Sequence, residues 1–263
     1  MAPAALREPS STSEGPPAHE PAPLADRLRR AADSGPSAGG SEIRELFDAV
    51  AARYDLLNRL LSLGLDQTWR RRAAHACSLP AGGRALDVAT GTGDLAILLR
   101  AAAGESGLVV GADLSPGMLA HGRKKSAGGA LVADAERLPF PDGAFDAAAI
   151  AFGIRNVNDP ERAVREMTRV VRPGGRVVVL EFSTPRLAPF RLLHRLYMRF
   201  AVPWIGRVVS GRREAYEYLS RSVPSFVRRV DLEAIFRRAG LDVAARRPLT
   251  LGIVEMLVGT KTS

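Results

Sequence analysis

Hydrophobic positions along the chain follow two spacings. Short apolar runs are followed by segments in which apolar residues recur every three or four positions. The first pattern is typical of buried strands and the second of helices packed on them. The spacing predicts strands over 85–89, 108–112, 130–132, 145–151 and 176–182, and helices over 95–103, 116–125 and 160–171. Strand–helix units in series indicate an α/β fold with a doubly wound, Rossmann-like parallel sheet, which binds its ligand at the carboxyl ends of the strands.

Further elements flank this series. Helical spacing begins at Ser41, and two more helices are predicted over 56–63 and 69–77. After the sheet the pattern predicts a helix over 231–239 and strands over 242–246 and 252–260. We expect these last two strands to form an antiparallel pair at the end of the sheet. The sequence therefore predicts one domain over residues 41–263, with a helical insertion over 186–229 that no simple crossover requires.

The first 40 residues have a different composition. They are rich in Pro, Ala, Ser and Gly and contain no aromatic residue, Val or Ile. Such a segment buries too little apolar surface to offset the entropy lost on ordering. We therefore predict a disordered tail over residues 1–40.

Positive charge is concentrated in one late segment. The net charge of the 263 residues is +9, and residues 186–247 alone contain 14 arginines, no lysine and 5 acids. Within the insertion, Arg191, Arg195 and Arg199 recur every four positions. The opposite face carries Phe190, Leu193, Tyr197, Phe200 and Trp204. This is the pattern of a basic amphipathic helix, which can face an anionic membrane surface or line a lid or dimer contact.

The composition excludes several classes of protein. The single cysteine, Cys77, rules out an intrachain disulfide and suits a reducing compartment. No apolar run approaches the ~20 residues that a membrane-spanning helix needs. No cluster of metal-ligating residues stands out, so we expect no metal. We predict a cytoplasmic protein that reaches the membrane only from its inner face.

A glycine-containing turn follows the first predicted strand, within the sequence RALDVATGTGDL that begins at Arg84. Gly91 and Gly93 allow positive φ and close approach of the backbone to a ligand, and the next helix points its first N–H groups toward that ligand. With Ala96 the spacing matches G-x-G-x-x-A, which marks dinucleotide sites. With Asp87 ahead of the turn, it is equally compatible with S-adenosylmethionine (SAM).

Three acids at strand ends favour SAM over a dinucleotide. Asp87, Asp113 and Asp134 end the first, second and third predicted strands. Asp87 is placed to accept a hydrogen bond from the ammonium of SAM and would repel a pyrophosphate. Asp113 suits ribose hydroxyls, and Asp134, with Ala135, an adenine amino group. Together with the glycines these acids predict a site for a cationic nucleoside, so we predict SAM as the cofactor.

The chain resembles the menaquinone and ubiquinone C-methyltransferase family over about residues 43–261. The motifs FDAVAARYDLLN, ALDVATGTGDLA, GADLSPGMLAHGRKK, AFGIRNV and RVVRPGGRVVVLEFSTP carry the resemblance. It implies a SAM-dependent enzyme that methylates the ring of demethylmenaquinol or a polyprenyl benzoquinol. It also implies cofactor contacts at Thr92, Asp113, Asp134, Ala135 and Ala151. The chain departs from the family at Ala151, where serine is usual, and at Leu257, where histidine is frequent.

Methylation at carbon requires a nucleophilic ring, and loss of a proton from the neighbouring hydroxyl supplies it. The negative charge that develops on oxygen needs a fixed cation or hydrogen-bond donors. Arg155, just past the fourth strand, is the candidate because a guanidinium stays charged and offers several donors. Asn156 and Tyr54 would position the quinol oxygen or a proton-accepting water.

Three other interpretations remain open at this point. The chain could be a SAM enzyme acting on RNA, a SAM enzyme acting on a soluble small molecule, or a binding module that retains the fold without catalysis. The absence of an appended RNA-binding module argues against nucleic acid. We expect a polyprenyl quinol as substrate, with peripheral contact to an anionic membrane and a homodimer as further partners.

Overall fold

The computed structural model describes residues 22–36, 40–123, 125, 129–205 and 213–262. Seven strands form one sheet in the order β3-β2-β1-β4-β5-β7-β6. The strands are β1 Arg84–Val88, β2 Leu108–Asp113, β3 Gly129–Val132, β4 Phe145–Ala151, β5 Val171–Phe182, β6 Leu241–Leu249 and β7 Val254–Lys261. Strands β1 to β5 pair in parallel, and β7 lies antiparallel between β5 and β6. The predicted sheet and its terminal antiparallel pair are confirmed.

Helices cover both faces of the sheet because its central strands are apolar on both sides. The helices are α1 Leu24–Ser34, α2 Ser41–Val50, α3 Tyr54–Ser62, α4 Leu65–Ala76, α5 Asp94–Ala103, α6 Pro116–Gly122, α7 Pro160–Val170, α8 Ala188–Leu196, α9 Arg213–Arg229 and α10 Leu232–Arg238. One face packs against α7 and α10 through residues such as Met167 and Phe236. The other packs against α4 and α5 through Trp69 and Leu99. The chain thus forms three layers.

The prediction of a disordered tail is wrong for residues 24–34, which form helix α1. Leu28, Ala31 and Ala32 are buried on one face of this helix, where they pack against Tyr218 of α9. Asp33 adds an ion pair to Arg221 of α9, 2.7 Å between Oδ2 and the guanidinium. These three side chains are enough to hold α1 in place, because they pack on an apolar surface of α9. The rest of the predicted tail, 1–21 and 37–39, lies outside the described residues.

The predicted insertion is helical where the structure describes it. Helix α8 continues through a π-helical segment, Tyr197–Ala201, into α-helical residues 202–205. Residues 206–212 lie outside the described part of the chain, and α9 follows. The apolar side chains Leu57, Val202 and Tyr216 form a small cluster that holds the insertion against α3. The insertion therefore stands beside the carboxyl ends of the strands.

Candidate active site

The turn after β1 has the backbone geometry that its glycines predict. Gly91 and Gly93 adopt φ of +58° and +85°, in the left-handed region. The N–H of Gly91 donates to Oδ2 of Asp113 at 2.8 Å, which ties the turn to the end of β2. The N–H of Gly93 donates to the carbonyl of Thr90 at 2.9 Å and leads into α5. The turn is thus fixed from both sides.

A cavity of about 90 Å³, called here the sheet-edge pocket, opens beside this turn. It brings together Tyr54, Gly91, Asp113, Asp134, Ala135, Ala151 and Asn156 of the predicted site. Asp113 also accepts from the N–H of Ser115 at 2.8 Å, and burial raises the pKa of its carboxyl above the usual value. Asp134 accepts from the N–H of Glu136 at 2.9 Å. Two carboxylates therefore face one pocket, each oriented by backbone amides.

Three predicted cofactor contacts, Asp87, Thr92 and Gly93, lie outside the lining of this pocket, and Gly93 takes part in the turn through its backbone. Asp87 is buried below the turn, where its Oδ2 accepts from the hydroxyl of Thr90 at 2.6 Å. Desolvation raises the pKa of Asp87 to about 7. Thr92 is also buried, and its hydroxyl donates to Oδ1 of Asp55 at 2.5 Å. Both side chains support the turn from beneath.

A second and larger cavity of about 530 Å³ adjoins the first. We call it the apolar cavity, because its walls are mainly hydrophobic side chains of α2, α3, α4, α8 and α9. Phe47, Tyr54 and Phe152 line both cavities. Phe152 adopts a φ of +61°, a strained value for a side chain of this size. Such strain persists where the surrounding structure enforces it, and it clusters at functional sites.

The predicted catalytic residues converge where the two cavities meet. Arg155 lines the apolar cavity and Asn156 the sheet-edge pocket, both from the 3₁₀ turn Ile154–Asn156. Arg155 is only 8% exposed, and its Nη1 donates to Oε1 of Glu181 at 2.7 Å and to the carbonyl of Phe152 at 2.6 Å. The Nε of Arg155 has no hydrogen-bond partner among the described residues. Arg155 is thus a buried, paired cation.

Asn156 is oriented by a residue that was not predicted from the sequence. The hydroxyl of Tyr218, on α9, donates to Oδ1 of Asn156 at 3.0 Å. Burial raises the pKa of Tyr218 to about 12, so the phenol keeps its proton. The Nδ2 of Asn156 makes a longer contact of 3.4 Å with the carbonyl of Phe152. The insertion therefore helps to set the geometry of the site.

Arginine also lines the apolar cavity from α4. Arg70 is 6% exposed, and its Cζ lies 5.1 Å from the centroid of the Phe152 ring. Neighbouring Trp69 donates from its indole to the hydroxyl of Thr250 at 2.8 Å. Arg70 was not predicted as a site residue, because three consecutive arginines on a helix are typical of a solvated face.

The predicted basic amphipathic helix is present, and its apolar face is divided. Arg191, Arg195 and Arg199 are exposed. Phe190, Leu193 and Tyr197 line the apolar cavity. Phe200 and Trp204 are 62% and 65% exposed. Leu63, Leu187 and Leu251 add further exposed apolar area. In the described part of the chain, no helix is long and apolar enough to cross a membrane.

The fold and the site define the class of protein. A seven-stranded sheet with this order, a glycine turn after β1 and acids at the ends of β2 and β3 are those of the SAM-dependent methyltransferases. A SAM-dependent methyltransferase of Thermotoga maritima superposes with a TM-score of 0.55 at 23% identity, covering 83% of this chain and 99% of that one. The [4+2]-cyclase SpnF superposes equally well, with a TM-score of 0.55 at 18% identity, covering 84% of this chain and 95% of that one. These likenesses establish the fold alone.

Sequence comparison identifies the family. Residues 37–261 match the ubiE/COQ5 methyltransferase family, and the chain belongs to it. The demethylmenaquinone methyltransferase of Thermus thermophilus is 48% identical over 221 residues, 82% of this chain and all of that relative. The ubiquinone/menaquinone biosynthesis C-methyltransferase UbiE of Geobacter sulfurreducens is 44% identical over 229 residues, 84% of this chain and 89% of that relative. The family expected from the motifs is thereby confirmed.

Proposed function

We propose that this methyltransferase transfers a methyl group from SAM to a ring carbon of a polyprenyl quinol, with demethylmenaquinol as the acceptor. The observation that carries the proposal is the junction of two cavities of opposite character. The sheet-edge pocket holds Asp113 and Asp134, whereas the apolar cavity is about six times larger in volume and is walled mainly by hydrophobic side chains, with Asp66, Arg70 and Arg155 as charged residues of its lining. Relatives named for menaquinone and ubiquinone biosynthesis support the same acceptor class.

The sheet-edge pocket offers hydrogen-bond acceptors that suit SAM. The carboxylate oxygens of Asp113 each accept one backbone N–H and retain lone pairs for ribose hydroxyls. Ala135 and Asp134 border the place expected for the adenine. When bound, SAM supplies the methyl group that the ring carbon takes as the S–C bond breaks, and the ring C–H proton leaves to solvent. Ala151 contributes only a methyl group, so this chain lacks the serine hydroxyl usual at that position.

The acceptor ring would lie at the shared wall formed by Phe47, Tyr54 and Phe152. There Tyr54 and Asn156 orient the quinol hydroxyl, and Arg155 supplies positive charge as that hydroxyl loses its proton. The prenyl tail would extend into the apolar cavity toward α8. Asp87 lies buried beneath the glycine turn, and its direct contact with the ammonium of SAM stays a prediction.

The apolar cavity distinguishes this proposal from the alternatives. A cavity of about 530 Å³ lined by leucine, phenylalanine and tyrosine fits an apolar prenyl chain and does not match the polar surface of RNA or of a polar metabolite. The test incubates the full chain with methyl-labelled SAM and either reduced demethylmenaquinone, the benzoquinol precursor or RNA. We expect label in the naphthoquinol. Asp113→Asn should abolish SAM binding in isothermal titration, whereas Asp142→Asn, at an exposed carboxyl elsewhere, should not. Label in RNA alone, or in none of the three, would contradict the proposal.

We also propose that the mouth of the apolar cavity docks on an anionic bilayer, from which the acceptor enters. Leucines of α3 and α8 are exposed, as are Phe200 and Trp204, and the same two helices contribute to the wall of the apolar cavity. Arg191, Arg195 and Arg199 stand beside them, and each arginine near an anionic surface adds about 1 kcal/mol to binding. An apolar patch rimmed by arginine fits lipid headgroups and acyl chains together.

Trp204 provides the assay for docking. The chain has two tryptophans, and Trp69 is buried whereas Trp204 is 65% exposed. Vesicles containing phosphatidylglycerol should shift the emission of Trp204 to the blue, and the Trp204→Phe variant should show no shift. Replacing Arg191, Arg195 and Arg199 by serine should weaken binding at low salt. The matched control replaces Arg71, Arg72 and Arg84, which are exposed elsewhere. Unchanged binding of the first triple variant, or a dimer that hides Trp204 without vesicles, would refute docking.

A further inference from the structure

Arg70 is a buried cation without a full complement of hydrogen bonds. It is 6% exposed, and it lines the apolar cavity from α4. Among the described residues its Nε has no hydrogen-bond partner, and Oδ2 of Asp66 lies 3.9 Å from that nitrogen. That distance allows electrostatic attraction but is too long for a hydrogen bond. Donors left unmet in a buried site cost free energy, so such a group is retained where a ligand meets it.

Asp66 is occupied by other donors, which explains why it does not close on Arg70. Its Oδ1 accepts from the hydroxyl of Ser62 at 2.9 Å, and its Oδ2 accepts from the amide of Gln67 at 3.2 Å. Arg155 differs, because Glu181 contacts its guanidinium directly at 2.7 Å. Of these two arginines in the wall of the apolar cavity, Arg70 therefore has the less neutralised charge.

Aromatic rings fix Arg70 close to the reacting end of the cavity. Its Cζ lies 5.1 Å from the centroid of Phe152, the ring that also borders the sheet-edge pocket. The Cζ of Arg155 lies 5.4 Å from the centroid of Phe182, and the two rings are 4.6 Å apart. The two guanidinium groups thus lie over one pair of contacting rings, whose planes are inclined at 35°. An aromatic 1,4-diol carries its oxygens at opposite ends of the ring, so it can meet two cations at once.

We propose that Arg70 is a further catalytic residue, which donates hydrogen bonds to an acceptor oxygen and stabilises it once the O–H bond has broken and the proton has gone to solvent. This inference rests on the proposed quinol acceptor. A charge held in an apolar, water-poor site interacts with a developing oxyanion far more strongly than it would in water. A phenolic hydroxyl has an ordinary pKa of about 10, so a nearby cation is needed for it to ionise near neutral pH.

Other titratable groups of the apolar cavity must be separated from Arg70 in any pH profile. They are Tyr54, Asp66, His194, Tyr197, Tyr216 and Tyr218. Burial lowers the pKa of His194, so this group is neutral across the alkaline range. The charge of Arg70 lowers the pKa of the Asp87 carboxyl, whereas burial raises it. For this reason SAM affinity is measured alongside the reaction.

The test compares Arg70→Gln and Arg70→Lys with Arg72→Gln, a variant of an exposed arginine on the same helix. Steady-state methylation of reduced demethylmenaquinone is measured from pH 6 to pH 10, and SAM binding by isothermal titration. For Arg70→Gln we expect kcat to fall about 100-fold. The pH at which kcat rises should move at least about one unit toward alkaline pH. SAM affinity should change less than about threefold. Arg70→Lys keeps a charge and should restore the position of the pH limb with a raised KM, and Arg72→Gln should behave as wild type.

The outcomes separate this inference from the proposed function. A wild-type enzyme that does not methylate the quinol would refute the proposed function itself. A wild-type enzyme that is active, with an Arg70→Gln variant that keeps its kcat and pH profile, would refute the role of Arg70 alone. If Arg70→Gln fails to fold, the kcat and pH profiles of Arg70→Lys and Arg70→Met test the role of Arg70 instead. A folded Arg70→Met variant with an unshifted pH limb overturns the inference.

Discussion

The buried pair of Arg155 and Glu181 allows structural and chemical roles to be separated by mutation. Glu181 is 2% exposed, and its carboxylate accepts from Arg155 at 2.7 Å and from the N–H of Phe182 at 2.8 Å. In Glu181→Ala a buried guanidinium loses its counter-charge, which costs about 3–5 kcal/mol of unfolding free energy. For a chain of this size each kcal/mol lowers Tm by roughly 2–4 °C, so Tm should fall by roughly 6–20 °C.

A double variant then restores stability without restoring chemistry. Arg155→Met with Glu181→Leu replaces the pair by apolar side chains of similar volume, which is often neutral or stabilising. We expect its Tm to lie above that of Glu181→Ala and somewhat below wild type, because the N–H of Phe182 loses its acceptor at a cost of about 1–3 kcal/mol. Its kcat should nevertheless be lower by about 100-fold or more, because the cation facing the acceptor oxygen is gone.

Calorimetry and methyl transfer to reduced demethylmenaquinone, measured on the same preparations, provide the assay. SAM titration confirms that the donor pocket is intact in each variant. Wild-type turnover by the folded double variant would show that Arg155 serves the fold alone. A Glu181→Ala protein with an unchanged Tm would show that the buried pair is not the source of stability inferred from its geometry.

Three further predictions concern other parts of the molecule. Asp87→Asn, which cannot titrate, should exceed wild type in unfolding free energy by roughly 2–4 kcal/mol above pH 7. Burial holds the pKa of Asp87 at about 7, so the folded protein keeps a proton there that the unfolded chain has lost, and urea unfolding at several pH values should show the advantage disappear toward pH 4. Tyr218→Phe should lower stability by about 1 kcal/mol and kcat by about tenfold, with unchanged SAM affinity, because Asn156 loses its donor; wild-type kinetics would contradict this. Leu28→Ala should cost about 2–5 kcal/mol and make α1 sensitive to protease, whereas Leu24→Ala, only half-buried, should cost less; equal losses would mean that α1 does not dock.

The sheet was predictable because its signals are local. Strand β4, predicted over 145–151, has those same bounds in the structure, since seven consecutive residues from Phe145 are apolar or small apart from Asp146. Strand β5 is longer than predicted and begins at Val171, because the sequence Arg-Pro-Gly-Gly bulges within the strand instead of ending it. Helix α1 was missed because its apolar stripe is only visible once the surface of α9 that covers it is known.

The candidate site divides in the same way. Gly91, Asp113 and Asp134 could be predicted together, because parallel strands bring their carboxyl ends to one edge. The burial of Asp87 beneath the turn could not be predicted, because a position at the end of a strand does not determine which way the side chain faces. Arg70 and Tyr218 escaped notice for a different reason. Their roles depend on packing between elements far apart in the chain, and neither has a spacing that marks it.

The two cavities are formed by different parts of the fold, and this separation has an evolutionary consequence. In the proposed function, strand ends and one glycine turn bind the methyl donor, whereas the acceptor lies in a cavity walled by α2, α3, α4, α8 and α9. Substitutions in those helices can reshape the cavity while the nucleoside contacts stay intact. Related enzymes can therefore change the quinol ring that they accept while they keep the same contacts to the methyl donor.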